Sequence, residues 1–283
     1  ASLCEIAKPQ VGILTNIGTV HASRAGSQET IAHGKSELVR ALPPAPTGSA
    51  ILNIDDPFIR EMANLTQAKV IYYGLDSKAD LWADEIESRG LDGIHFKIHH
   101  GADAFNLQAP LIGRHSIHTI LAAAAAALNE GLTWQEIILG LQHATSQLRL
   151  VAVKTRQGAL ILDDTYNASP ESMLAALNLL NELPGRKIAV LGGMNELGQY
   201  EQLGHNKVGI RAAEVVDKLI AFQEKAQLIA TAAQKAGLPG EFIEIIDDEN
   251  EVIQALNLTL RPGDVVLVKG AHSLRMDRIV QAM

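Results

Sequence analysis

The sequence holds one cysteine, Cys4, in 283 residues. A single thiol excludes an internal disulfide framework and any cysteine-rich zinc site, and Cys4 reads as a small apolar residue. Aromatic residues make up only 4%, and cations are outnumbered, with 24 Lys plus Arg against 32 Asp plus Glu and a net charge of −8. With no basic block and no aromatic stacking platform to offset that balance, nucleic-acid binding is not expected. Long apolar runs are missing too. The longest bland stretch, Leu121 to Leu128, is alanine-rich, and at about two helical turns it falls well short of the ~20 apolar residues that cross a bilayer. There is no basic n-region followed by an apolar signal core, so a cytoplasmic protein without a membrane span is expected.

A phosphate-cradling loop is also wanting. His33-Gly34-Lys35-Ser36 imitates the end of G-x-x-x-x-G-K-[ST], whose glycines let backbone N–H groups surround phosphates. The spacing requires an upstream glycine where Glu29 stands, and Gly26 is out of step. Lys35 also falls inside a helical pattern from about Gln28 to Leu42, with Ile31, Leu38, Val39 and Leu42 on one face. The P-loop reading is therefore rejected. Any phosphate cradle is expected upstream of residue 1, as is a missing part of the first domain, because the first strand begins only some ten residues in with no helix before it.

What is present is an alternation of strands and helices. Val11 to Thr15, Ala50 to Asn53 and Val70 to Tyr73 read as strands, separated by helices over Gln28 to Leu42 and from Asp55-Asp56-Pro57 to Leu65. Leu81 to Glu87, Ile94 to His99 and Phe105 to Ala109 read as a small antiparallel patch. Helices return over His115 to Asn129 and Thr133 to Leu141. The alternating stretch Leu150 to Leu162 then runs into Asp163, and strand and helix alternate regularly from there to a helix over Ser273 to Ala282. The fold class is α/β in two domains, 1–150 and 151–283, the second Rossmann-like and doubly wound.

Ordered along the chain are Ile13-Leu14-Thr15-Asn16-Ile17-Gly18-Thr19-Val20-His21 with Lys35 and Glu37, then Gly113-Arg114-His115 before an alanine-rich helix. Arg149 follows, then Asp163-Asp164-Thr165-Tyr166-Asn167-Ala168-Ser169-Pro170, Gly192-Gly193-Met194-Asn195-Glu196-Leu197-Gly198, His205, and Val268-Lys269-Gly270 ahead of Met276. The ordered set resembles the central and C-terminal domains of the Mur ligase family, specifically the branch acting on muramoyl-tripeptides. The resemblance implies an ATP- and Mg²⁺-dependent ligase of peptidoglycan synthesis, joining D-alanyl-D-alanine to UDP-N-acetylmuramoyl-tripeptide. A carboxylate attacks the γ-phosphate of ATP, and the amine displaces phosphate from the acyl phosphate. The protein's task in such a reaction is to position substrates and to neutralise moving negative charge.

Residue by residue, the resemblance makes His21 a ligand of Mg²⁺ and Lys35 a lysine carbamylated to a second ligand. It makes Asn53, Arg114, His115 and His118 nucleotide contacts, Arg149 a guanidinium for ATP phosphate and Asp164 a catalytic aspartate near the ribose and the domain hinge. Asn167, Asn195, Glu196, Lys269 and His272 become contacts for the amine substrate. By residue type alone His21 is a loop histidine, Lys35 an exposed helix lysine and Asn53 a helix cap. Consecutive carboxylates at a strand end repel, which favours a functional Asp163-Asp164, and Asp164→Ala is expected to cost activity rather than stability. The sequence departs from the family at Ser116 and His118, where asparagines are expected, at Gly193, where aspartate is usual, and at Ala271-His272, where Ser-Arg is usual. Two alternatives stay open: a sister ligase with another carboxylate and amine, and a non-catalytic binding protein on the same fold. A monomer is expected.

Overall fold

The computed structural model describes residues 2–143 and 151–283. They form two compact units, one of residues 2–18 with 27–143 and the other of residues 19–26 with 151–283. Arg149 lies outside the described residues.

The first unit is built on a six-stranded sheet in sequential order: β1 (Val11–Leu14), β2 (Ser49–Asn53), β3 (Lys69–Gly74), β4 (Leu81–Ser88), β5 (Ile94–His100) and β6 (Asp103–Ala109). Neighbours from β1 to β4 are parallel, and β4, β5 and β6 form an antiparallel meander. The change of pairing follows the side chains. All five residues of β2 are buried, as in a strand covered on both faces. Ile51 packs into the cluster of helix Ser116–Asn129, while its neighbours Ala50 and Leu52 pack into that of helix Gln28–Ala41. In β5 only alternate residues, Ile94, Phe96 and Ile98, are buried, the pattern of a strand with one wet face. Each fully buried Ile or Leu contributes about 1.5–3 kcal/mol.

Helix Gln28–Ala41 begins where Ser27 accepts a hydrogen bond from the Thr30 N–H at 3.2 Å and stops before Pro43-Pro44. The P-loop mimic is thus helix interior, and the Ser36 hydroxyl donates back to His33 O at 2.7 Å. One expectation is overturned: a helix, Ser2–Ala7, precedes β1. Six residues carry too little periodicity to read, and Leu3 and Ile6 are exposed, so no apolar face announces it.

The second unit's sheet runs β11 (Ile243–Ile246), β10 (Lys218–Phe222), β9 (Lys187–Gly192), β12 (Val265–Lys269), β8 (Leu160–Asp164), β7 (Val151–Lys154). All neighbours are parallel except β7, which pairs antiparallel with β8. The stretch read as one alternating run is therefore a hairpin. It turns at Thr155, whose N–H donates to Ala159 O and whose hydroxyl accepts from the Ala159 N–H, with Gly158 at φ 82. From β9 the chain winds outward through β10 and β11, then returns to lay β12 on the other side of β9. That reversal makes the carboxyl ends of β9, β12 and β8 the place where a doubly wound sheet opens a crevice. The helix expected over Ser273 to Ala282 is also corrected: a short turn His272–Leu274 is broken from helix Asp277–Gln281 by Arg275 at φ 50.

Candidate functional site

At the crevice of the second unit, Asp164 ends β8 and Lys269 ends β12, and the register pairs them directly. Lys269 is 1% exposed. Its ammonium lies 2.7 Å from Asp164 Oδ2 and donates to Asn167 O at 2.8 Å. A buried charge is tolerated only with partners of this kind. Asp163 instead accepts from the Thr165 N–H and hydroxyl at 3.1 and 2.7 Å. Successive strand side chains point to opposite faces, so the two carboxylates serve different neighbours, and the repulsion argued from their adjacency is relieved by the pleat. Asn167 is spent locally, its Oδ1 accepting from the Ala168 N–H.

β9 contributes the loop after Gly192. Asn195 Nδ2 donates to Ser273 Oγ at 2.9 Å. Glu196 takes a left-handed conformation, φ 62, and its carboxylate meets His21 Nδ1 and, at 3.4 Å, the Arg24 guanidinium. His21 is left-handed too, φ 68. Non-glycine residues in that region are uncommon and gather at functional sites. The Ser23 N–H donates to Glu196 O, and a Cβ on Gly198 would stand 2.9 Å from Ser23 Cα, so only glycine lets the two segments approach. His272 packs edge-on to Tyr166 with ring centroids 6.0 Å apart. Gly193 has a steric cause: a Cβ there would lie 2.5 Å from Lys225 Cβ.

His205 stands beneath this loop, fully buried. Its Nδ1 faces Glu201 O at 2.7 Å and its Nε2 faces the Met194 N–H at 3.0 Å. A carbonyl can only accept and an N–H can only donate, so both contacts are made only by the neutral Nδ1–H tautomer. Burial pushes its pKa below the ordinary histidine value, and the ring serves as a strut.

In the first unit the selected residues cluster at the carboxyl ends of β1 to β3. Lys35 Nζ donates to Asn16 O at 2.7 Å. Asn53 Nδ2 donates to Thr15 O at 2.8 Å, and its Oδ1 accepts from the Asp55 N–H. The hub is Asp55, which had not been singled out: its carboxylate accepts from the Leu75 and Asp76 N–H groups and meets His118 Nε2 at 2.8 Å. An aspartate ahead of a helix-capping Asp56 looks like part of the cap, so no local signal marks it. Arg114 stands apart from this cluster, donating to Ile86 O in β4. His115 is the N-cap residue of helix Ser116–Asn129 without a side-chain cap bond. The buried Ser116 hydroxyl donates to Ile112 O. Counted along G-R-H-N-x-x-N, the second asparagine position falls on exposed Thr119 rather than on His118.

For a metal, no group of three or more His, Cys, Asp or Glu assembles among the described residues. His21 still fits as a single donor: a carboxylate on Nδ1 is how metal-binding histidines are usually oriented, leaving Nε2 to face the ion.

Residues 1–127 match the Mur ligase middle domain and residues 148–272 the Mur ligase glutamate ligase domain. Over its full length the chain is 36% identical to the UDP-N-acetylmuramoyl-tripeptide--D-alanyl-D-alanine ligase of Synechocystis sp., and 33% identical to that of Mycobacterium tuberculosis. It spans 60% and 59% of those two proteins. Among solved structures, MurF from Acinetobacter baumannii superposes with a TM-score of 0.87 at 29% identity, over 98% of this chain and 60% of that one. The MurF ligase of Thermotoga maritima in complex with ADP gives 0.84 at 25% identity, over 99% and 62%.

Proposed function

We propose, on the premise that this chain belongs to the Mur ligase family and carries its middle and glutamate ligase domains, that it serves the joining of D-alanyl-D-alanine to UDP-N-acetylmuramoyl-tripeptide. The observation that carries this reading is similarity along the whole chain to relatives that bear that one activity in their names. The motif residues at the carboxyl ends of the strands in each unit support it. The domains run 1–150 and 151–283, and the protein works as a cytoplasmic monomer in peptidoglycan synthesis, hence in cell shape and division.

In the reaction, a tripeptide carboxylate oxygen attacks the γ-phosphorus of ATP and ADP leaves. The amine nitrogen then attacks the acyl carbon, inorganic phosphate leaves and the nitrogen gives up a proton. Mg²⁺, when bound, neutralises phosphate charge. His21, held by Glu196, and a carbamylated Lys35 would be the residues toward that ion. Asn53, Asp55 and His118 form the nucleotide-side rim of the first unit, and Arg114, His115 and Arg149 are the further nucleotide candidates, Arg149 for phosphate. Asp164 is the second unit's candidate contact to the nucleotide. Asn167, Asn195, Glu196 and His272 line the crevice toward the amine.

The test is stoichiometry in the full-length protein with ATP, Mg²⁺, the UDP-tripeptide and D-alanyl-D-alanine: UDP-pentapeptide, ADP and phosphate should form one to one to one. The 283-residue chain alone should stay at background, because no P-loop occurs within it. Ligation of a different amine would make this a sister ligase. Substrate binding without turnover would favour the non-catalytic reading.

A further inference from the structure

The resemblance assigns the lysine of Val268-Lys269-Gly270 to the amine substrate, but the geometry buries its ammonium against the turn that leaves β8. Lys269 is 1% exposed. Nζ lies 2.7 Å from Asp164 Oδ2, 2.8 Å from Asn167 O and 3.5 Å from Asp164 O. All belong to one short segment, the turn that leaves β8. That turn ends at Ser169, which caps helix Pro170–Glu182 through a reciprocal hydrogen-bond pair with Ser172. The ammonium thus binds two carbonyls and one carboxylate of the turn, where a water or a backbone donor would otherwise be needed.

We infer that Lys269 is a positioning residue: from β12 it fixes the rotamer of Asp164 and the path of residues 164–167, and the amine substrate is bound without it. The inference rests on the ligase reading for the role of Asp164, though the buried contact stands apart from it. Register explains the choice of residue. Lys269 and Asp164 are Cα partners on parallel neighbours, so their side chains leave the sheet on the same face. A four-carbon stem then carries the charge beyond the strand end to meet the turn.

The experiment is a double-mutant cycle in the full-length ligase with Lys269→Met and Asp164→Asn. Lys269→Met alone should lower kcat/KM by about 100-fold, the effect of misplacing a reacting group by about 1 Å, with KM for D-alanyl-D-alanine unchanged. In the Asp164→Asn background the same change should cost less than about threefold, because a residue acting through another loses its effect with it. Additive losses, or a raised KM for the dipeptide at constant kcat, would overturn the inference. So would a lowered melting temperature with normal specific activity, which marks a merely structural lysine. A second measurement needs neither catalysis nor stable variants. In the unsubstituted 283-residue chain, brief acetylation read by mass spectrometry should spare Lys269 while labelling exposed lysines such as Lys35. Rapid labelling of Lys269 would overturn the inference on its own. Sparing of Lys269 in a full-length protein that ligates nothing would instead retire the ligase reading and leave the buried contact standing.

Discussion

The carboxyl-end rims of the two units are held in different ways. In the second unit, charged side chains from neighbouring parallel strands hold one another: Lys269 of β12, sealed from water, against the half-buried Asp164 of β8. In the first, polar side chains hold backbone. Lys35 binds Asn16 O, Asn53 binds Thr15 O and Asp55 collects the Leu75 and Asp76 N–H groups as well as meeting His118. A rim of the first kind is preorganised, its charges already desolvated and oriented. A rim of the second kind shapes the loops on which ligands would sit and stays closer to water. Substitutions in the two should therefore fail differently, the first losing stability together with activity and the second losing activity alone.

Asp164→Ala should have the largest effect. Removing one partner of a buried ion pair leaves the other charged and desolvated, a loss of about 3–5 kcal/mol. Urea unfolding of the 283-residue chain should show an earlier transition for the second unit. This revises the expectation, drawn from motif position alone, that the substitution spares stability; an unchanged midpoint would return Asp164 to a purely catalytic role.

Next in size is Lys35→Ala in the full-length enzyme, expected to lower turnover by at least about 100-fold at an unchanged melting temperature. A carbamate offers the oxygen donor that Mg²⁺ prefers and keeps one N–H for Asn16 O. Formate or acetate should thus partly restore Lys35→Ala, and Lys35→Arg should be neither active nor rescued. Activity retained in Lys35→Arg would show that the position supplies positive charge, ending the carbamate role and sharpening the contrast with Lys269.

The smallest effect concerns His205. Burial lowers its pKa in the folded state below the ordinary value of 6.5, so the unfolded chain takes up the proton first. Its contribution to stability is complete above pH 6.5 and declines as the pH falls through the lower folded value, by no more than about 1.4 kcal/mol per pH unit. His205→Gln should flatten the acid side of the second unit's stability profile; an unaltered slope would assign the acid sensitivity to other groups.

Most of the architecture is legible along the chain because its signals are local. Apolar runs such as Ser49–Asn53 announce covered parallel strands, alternation in Ile94–His100 announces a half-wet one, and the Ser27 cap with the Pro43-Pro44 stop brackets the helix that contains Lys35. The same positions show that the P-loop mimic is helical. Motif residues also fall where strands end, so the rims could be anticipated. What each rim residue does was decided by tertiary structure. Lys269 and Asp164 are 105 positions apart, and they meet only because the chain returns to insert β12 between β9 and β8. Glu196 finds His21 across 175 positions, and Asp55 finds His118 across 63. No periodicity or spacing encodes such pairs, because their attraction depends on the desolvation and orientation that packing imposes. A lysine beside a glycine at a strand end thus looks alike in sequence whether its ammonium faces a substrate or is shut inside the fold.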